Sequence, residues 1–194
     1  MLVLILGLIL FIGVHFVRIL APQWRLAVIE AKGEGPWKGI YSLISLVGFV
    51  LLIWGYALAK DQAAFVYVPV EWGRSLSLVA VPLALWLVVA SNFPAGFLKR
   101  LTQHPMLWGT VIWATSHLLN NGDLPSLILF GTFLVWALIA LVSSYRRPRA
   151  NPHAVQPGPR THWWPDVVSL LIALGLTIAF VSILHEWLFG VAIA

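Results

Sequence analysis

Two histidines and one arginine lie within stretches that are otherwise apolar. His15 and Arg18 are three residues apart in GVHFVR, so they share one face of a helix. His117 lies in WATSHLL, with Trp113 one helical turn before it. Ionisable side chains are costly in an apolar medium, so residues of this kind are expected to have a functional or pairing role.

An imidazole near a cation suits a haem group. A neutral imidazole can bind the iron, and an arginine can pair with a propionate. We therefore predict a haem site with His15 and His117 as ligands, Arg18 beside a propionate, and Trp113 packed on the ring or on a ligand. Two imidazole ligands close both axial positions, which favours electron transfer or redox sensing. Histidine ligation also suits zinc or copper.

Structural roles are the simpler alternatives. An intramembrane histidine often joins two helices by a hydrogen bond, and Arg18 could extend towards the membrane surface. His104 could cap the helix that follows it or bind a headgroup. It is also the competitor of His117 as a ligand, because residue counting places it closer in depth to His15. His185 and Glu186 are expected to meet water at the membrane edge.

The elements that carry these residues are predicted to be transmembrane helices. The chain has 194 residues, 60% of them hydrophobic and 10% charged, whereas soluble domains carry roughly a quarter charged residues. The absence of cysteine excludes disulfides and thiolate sites. We predict an all-α, polytopic transmembrane bundle of about six spans. The spans are approximately Leu2–Leu20, Gly39–Leu58, Leu76–Phe93, Pro105–Leu119, Pro125–Val142 and Val167–Leu188.

The basic residues predict how the chain is oriented. Nine of them lie in the loops after the first, third and fifth spans, and only Lys60 and Arg74 lie in the other loops. The positive-inside rule then makes both termini extracytoplasmic. The basic residues form no continuous patch, so nucleic acid is not an expected partner. The expected partner is the lipid bilayer. Residues 149–166, with their many Pro and Arg, are predicted to be a cytoplasmic loop.

Three stretches carry a resemblance to a known family. Gly7–Arg18, Lys38–Tyr56 and His104–Leu138 resemble the NnrU family of bacterial membrane proteins. The resemblance extends over residues 1–148, and residues 167–194 add a C-terminal transmembrane helix. It implies a location in the bacterial inner membrane and a link to denitrification, through nitrite and nitric oxide metabolism. A redox partner or respiratory enzyme is then the expected protein partner, and self-association stays open.

The NnrU family is in turn similar to the plastid zeta-carotene isomerase, which uses haem b in a redox-gated cis–trans isomerisation. The axial histidines of that enzyme correspond to His15 and His117. Its alternative cysteine ligand corresponds to Ala114, which argues against the same ligand exchange here. The resemblance implies a haem b protein with a redox, electron-transfer or sensing role. The alternatives are a cofactor-free accessory protein and a haem-dependent isomerase of polyenes.

A weaker similarity points to methyltransferases. HPMLWG resembles the RHPxYxG signature of membrane methyltransferases of the isoprenylcysteine type, which bind S-adenosylmethionine. Gln103 stands where that signature has Arg, and no paired acidic motif follows. This similarity therefore indicates shared helical architecture, and a shared fold does not carry function.

Overall fold

The computed structural model describes residues 1–60, 63–146 and 162–189, and these residues fold into helices. A π-helical turn at Phe180–Leu184 separates the last two helices. In chain order the α-helices are α1 Leu2–Leu20, α2 Pro22–Lys32, α3 Glu34–Lys60, α4 Gly73–Ala90, α5 Phe97–Thr102, α6 Pro105–Asn120, α7 Leu124–Arg146, α8 Trp164–Ala179 and α9 His185–Phe189.

The long helices are those of a membrane bundle. Among the described residues, five segments are long and apolar enough to cross a membrane: α1, α3, α4, α7, and α8 continued through α9. Helix α6 is the sixth long segment. With 16 residues it spans only ~24 Å at 1.5 Å per residue, less than the ~30 Å of a typical hydrocarbon core. The prediction of an all-α transmembrane bundle of about six spans is confirmed.

Glycines set the contact between α1 and α3. A Cβ atom added at Gly48 would lie 2.7 Å from the backbone nitrogen of Phe11, and one added at Gly7 would lie 2.7 Å from that of Leu52. Real Cβ atoms do not approach this closely, so larger side chains would push the two backbones apart. Small residues are a common means of close helix packing in lipid, where van der Waals contact drives association. This contact fixes the position of α1, which carries His15.

Helix α7 lies between the two helices that carry the candidate ligands. It packs against α1 on one side and α6 on the other, and α4 packs against α6 and α8. The main buried cluster joins α1, α3, α6 and α7. It consists of Leu4, Leu8, Ile12, Leu52, Tyr56, Ala114, Leu129 and Phe130.

Two short helices lie in the loops that were predicted as basic connections. Helix α2 begins at Pro22, a favourable first position, and ends at Gly33, whose φ of 87° few other residues adopt. Helices α2 and α5 were not predicted as spans, because both are short and carry charged residues. The predicted loop 149–166 lies mostly outside the described residues, and α8 begins within its end, at Trp164.

Asp166 attaches α8 to the rest of the bundle. Its carboxylate accepts hydrogen bonds from the backbone N–H groups of Phe97 (2.7 Å) and Leu98 (3.1 Å), at the start of α5. The indole N–H of Trp86, on α4, donates to the Asp166 carbonyl oxygen at 3.2 Å. These contacts place α5 and the start of α8 at the same end of the bundle.

Candidate cofactor site: two intramembrane imidazoles

His15 is held in one tautomer by its own helix. Its Nδ1 lies 2.6 Å from the carbonyl oxygen of Phe11, one turn earlier in α1. A carbonyl oxygen can only accept, so Nδ1 carries the proton and Nε2 has the lone pair. Metal-binding histidines commonly have this arrangement, with one ring nitrogen donating to a carbonyl and the other available to the metal. The rings of Tyr41 and Trp136 pack around the imidazole at 5.3 and 5.6 Å.

A groove lies between α1 and α7, lined by Phe16, which follows His15 in the chain, and by Trp136, which packs on His15. Its volume is about 390 Å³. Gly131 leaves space within it, because an added Cβ would meet no atom within 4 Å. Trp136 lines the groove and packs edge-on against His15. Its buried Nε1–H has no hydrogen-bond partner among the described residues. The lining residues are Phe16, Leu127, Ile128, Gly131, Thr132, Val135 and Trp136.

His117 has the same local geometry but closed surroundings. Its Nδ1 lies 3.0 Å from the carbonyl oxygen of Trp113, so its Nε2 also has the lone pair. The ring of Phe130 lies 4.4 Å from the imidazole, and that of Trp113 lies 5.3 Å away. Phe130 is buried and lies on the opposite side of α7 from Thr132 and Val135, which line the groove. His117 therefore does not share the groove beside His15.

Aromatic side chains fill the space between the two imidazoles. Phe11, which packs on His15 at 4.5 Å, lies 5.7 Å from Phe133 on α7. Phe133 in turn lies 5.4 Å from Trp113, the neighbour of His117. The series of ring contacts is continuous from α1 through α7 to α6. A macrocycle bound to both imidazoles at once would have to displace rings of this series.

Contacts along α7 give the relative heights of the three histidines. His117 contacts Phe130, His15 contacts Trp136, and His104 contacts Tyr145 at 5.1 Å. Phe130 and Trp136 are six residues apart, or ~9 Å along the helix axis, whereas Trp136 and Tyr145 are nine residues apart, or ~14 Å. By these contacts His117 lies closer in depth to His15 than His104 does, which differs from the expectation that residue counting gave.

Arg18 lies one turn beyond His15, at the end of α1 nearest to His104. Burial lowers the pKa of His104, and the positive charge of Arg18 lowers it further. His104 is therefore neutral at pH 7, and Arg18 is close enough to act on it. Pairing of Arg18 with a propionate remains a prediction, as does packing of Trp113 on a bound ring. Trp113 does pack on the His117 imidazole.

A buried polar network at the other end of the bundle was not predicted from the sequence. Lys60, at the end of α3, forms an ion pair with Asp123 in the turn between α6 and α7. The Lys60 Nζ also donates to the Ser126 hydroxyl at 3.2 Å, and the Ser126 and Tyr56 hydroxyls are hydrogen-bonded at 2.8 Å. From the sequence alone, Lys60 was interpreted as a charge in a loop and Asp123 as a residue that forms a turn. The two residues are 63 positions apart, and no local pattern links them.

The charge of Asp123 is stabilised by this network. Burial by itself would raise the pKa of Asp123, but the hydrogen bonds from Lys60 and Ser126 and the positive charge of Lys60 outweigh burial and lower it. Asp123 is thus ionised at pH 7. Only 4% of its side chain is exposed, against 24% for Lys60.

The loop before α4 completes this end of the bundle. The Tyr67 hydroxyl donates to the carbonyl oxygens of Leu118 and Asn121, where α6 ends. The Asn120 side chain donates to the Ser77 hydroxyl on α4. Carbonyl groups at the end of a helix have no partners within it, so these contacts satisfy groups that would otherwise be unpaired. They also fix the part of α6 that carries His117.

The described residues offer few ways to hold a bare metal ion. Within residues 1–60, 63–146 and 162–189, no three His, Cys, Asp or Glu side chains come together as a metal-binding group. A structural zinc site uses four protein ligands and a catalytic one uses three. Haem needs only one or two, because its porphyrin nitrogens supply the rest. The isolated imidazoles therefore suit haem better than zinc.

Comparison with known proteins identifies a family. The family model described as NnrU protein matches residues 3–193, which includes the C-terminal helices beyond residue 148. Neither the curated proteins nor the solved structures include a match to the chain.

Proposed function

The chain belongs to the NnrU family, and on that premise we propose that it is a membrane haem b protein with His15 as its principal axial ligand. The observation that carries the proposal is the surroundings of His15. Its Nδ1 is bound to the Phe11 carbonyl oxygen, its Nε2 has the lone pair, and its neighbours Phe16 and Trp136 line a groove of about 390 Å³. We propose His117 as the second ligand.

Several residues fit a flat apolar group at this position. Phe16 and Trp136 line the groove with aromatic surface, and Gly131 leaves room between them. The Trp136 Nε1–H is buried and has no partner among the described residues, so a polar edge of a ligand in the groove would reach it only if the indole turned. A buried donor left unpaired costs ~1–3 kcal/mol, so a ligand that accepts from it would gain that free energy. When bound, haem would supply one-electron chemistry; the residues bind and orient it.

The proposed role is redox chemistry or sensing in denitrification, in the bacterial inner membrane and with a redox protein or respiratory enzyme as partner. A haem held by both imidazoles would suit electron transfer, and one held by His15 alone would suit binding of a small ligand. His117 would take part only if rings between the two imidazoles moved aside.

A cofactor-free accessory protein is the second candidate. The observation that favours it is the aromatic packing of His117, whose imidazole contacts Phe130 and Trp113 as a core residue would. A polyene isomerase is less favoured. Ala114, which replaces the alternative cysteine ligand, is fully buried and has no group that could bind a metal.

The test is the optical spectrum of the protein expressed with a haem supply and purified in detergent. We expect a Soret band that the variant Gly131→Leu reduces severalfold, because the new side chain fills the groove beside His15. Gly175→Leu is the matched control, since a Cβ at Gly175 also meets no atom within 4 Å but lies on α8. A wild-type protein that stays colourless would contradict the proposal and favour the accessory role.

A further inference from the structure

Helix α2 has no buried residue. It spans Pro22–Lys32 and packs only lightly on α1 and α3, the helices on either side of it in the chain. Two of its large apolar side chains are turned away from the protein: Trp24 is 56% exposed and Leu26 is 53% exposed. A helix of this kind needs another surface to cover its apolar side chains.

The position of α2 makes that surface the membrane interface. The preceding span ends at Leu20 and the following one begins at Glu34, so α2 lies where both leave the bilayer. Basic side chains are concentrated at this end of the bundle. Among the described residues they include Arg18, Arg25, Lys32, Lys38, Lys99, Arg100 and Arg146.

Two indoles and one guanidinium are clustered on α2 and the first turn of α3. The Arg25 guanidinium lies over the Trp37 ring, 5.7 Å from its centroid. Trp24 meets Trp37 edge-on, with the ring centroids 5.8 Å apart. Tryptophan side chains prefer the headgroup level of a bilayer. An arginine guanidinium can donate two parallel hydrogen bonds to one phosphate group. Contact with the indole orients the guanidinium next to the exposed Trp24.

We propose that α2 is an interfacial helix and that Trp24, Arg25 and Trp37 bind the phosphate group of an anionic phospholipid. Trp24 and Leu26 enter the headgroup region, and Arg25 pairs with the phosphate. The acidic residues near this cluster are few. Glu34 is paired with Lys38 at 3.0 Å, which leaves Glu30 as the only other acidic residue in α2 or the first turn of α3. The surface therefore favours an anionic headgroup over a zwitterionic one, whether or not haem is bound.

The test is lipid binding to the delipidated full-length protein, measured by native mass spectrometry with phosphatidylglycerol and phosphatidylcholine. We expect phosphatidylglycerol to bind more tightly, and Arg25→Gln to weaken it about fivefold, as for the loss of one basic residue at a charged membrane surface. Arg74→Gln, at the other end of the bundle, is the matched control and should bind as wild type.

Four results would overturn the inference. The first is equal binding of the two lipids by wild type, and the second is wild-type binding by Arg25→Gln. The third is an equal loss in Arg74→Gln, which would make the effect one of net charge. The unfolding midpoints of both variants, compared with wild type, separate lost binding from lost structure. If Trp24→Ala changes self-association and leaves lipid binding intact, the exposed face is covered by protein and the inference is wrong.

Discussion

The regions around His15 and His117 have the same local geometry and different surroundings. Each imidazole lies in a membrane helix and donates from Nδ1 to the carbonyl oxygen four residues earlier. His15 adjoins a groove and an indole N–H without a partner among the described residues. His117 is enclosed by Phe130 and Trp113, near the buried network of Lys60 and Asp123.

The difference shows that helix geometry fixes the tautomer of each imidazole, whereas the neighbouring helices decide how open its surroundings are. Helix α7 takes part in both regions. Gly131 and Val135 line the space next to α1, and Phe130 closes the space next to α6. The surroundings of His15 are therefore the more open of the two, and those of His117 are packed like a protein core.

Removal of Lys60 should have the largest effect on stability and should act on the His117 region. Lys60→Met leaves the buried Asp123 carboxylate without its cation, which costs about 3 kcal/mol. We expect the free energy of unfolding in mixed micelles to fall by that amount, and amide exchange to rise first in residues 118–126. Lys38→Met is the control, because its ion pair with Glu34 is exposed on both sides and should contribute less than about 0.5 kcal/mol.

A uniform rise in amide exchange over α1 and α6 in Lys60→Met would contradict the separation of the two regions. Haem content is the second readout for this variant. It should stay at the wild-type level if His15 is the principal ligand, because Lys60 does not contact the groove.

Truncation of one phenylalanine in each region compares a packed site with an open one. Phe130 is 4% exposed and contacts His117, Trp113 and Tyr56, so Phe130→Ala should destabilise the protein by about 3 kcal/mol through a cavity. Phe16 is only partly buried and lines the groove, where lipid can fill the space, so Phe16→Ala should cost less, about 1 kcal/mol. Chemical unfolding of the two variants side by side gives the comparison. Equal losses would show that the groove is packed as tightly as the core.

Acid should weaken the His117 region in a way that depends on Asp123. The folded pKa of this carboxyl is lower than its ordinary value of 3.8. Its contribution to stability is therefore fully present above pH 4 and is lost as the pH falls through the folded pKa. We expect the unfolding midpoint of wild type to decrease below about pH 4, with a smaller decrease in Asp123→Asn. An identical acid dependence in the two proteins would show that other groups govern it.

The fold followed from the sequence wherever apolarity alone decides the structure. Leu2–Leu20 is recovered with both ends, because a long apolar run must form a helix in lipid. Pro105 also marks the start of α6, as a proline at a first helical position should. Helix α2 was missed, since charge interrupts its apolar residues and its ends depend on Pro22 and Gly33.

The candidate site was predictable only in part. In-span position and helical spacing select His15 and His117, and the structure adds that one adjoins a groove and the other does not. That distinction depends on which residues of α7 face α1, and a single sequence carries no signal for it. The Lys60–Asp123 ion pair could not be predicted either, because the two residues come together only when α3 packs against the turn before α7. Residues 1–148 carried the family resemblance, and the family match covers residues 3–193.

The most direct test of the central claim is the haem content of two single variants, His15→Ala and His117→Ala, purified in parallel with wild type. The ratio of haem to protein is measured from the Soret absorbance. We expect His15→Ala to lose at least nine-tenths of the haem and His117→Ala to keep most of it, with a shifted band if His117 is the second ligand. Loss of haem in His117→Ala together with retention in His15→Ala would contradict the account.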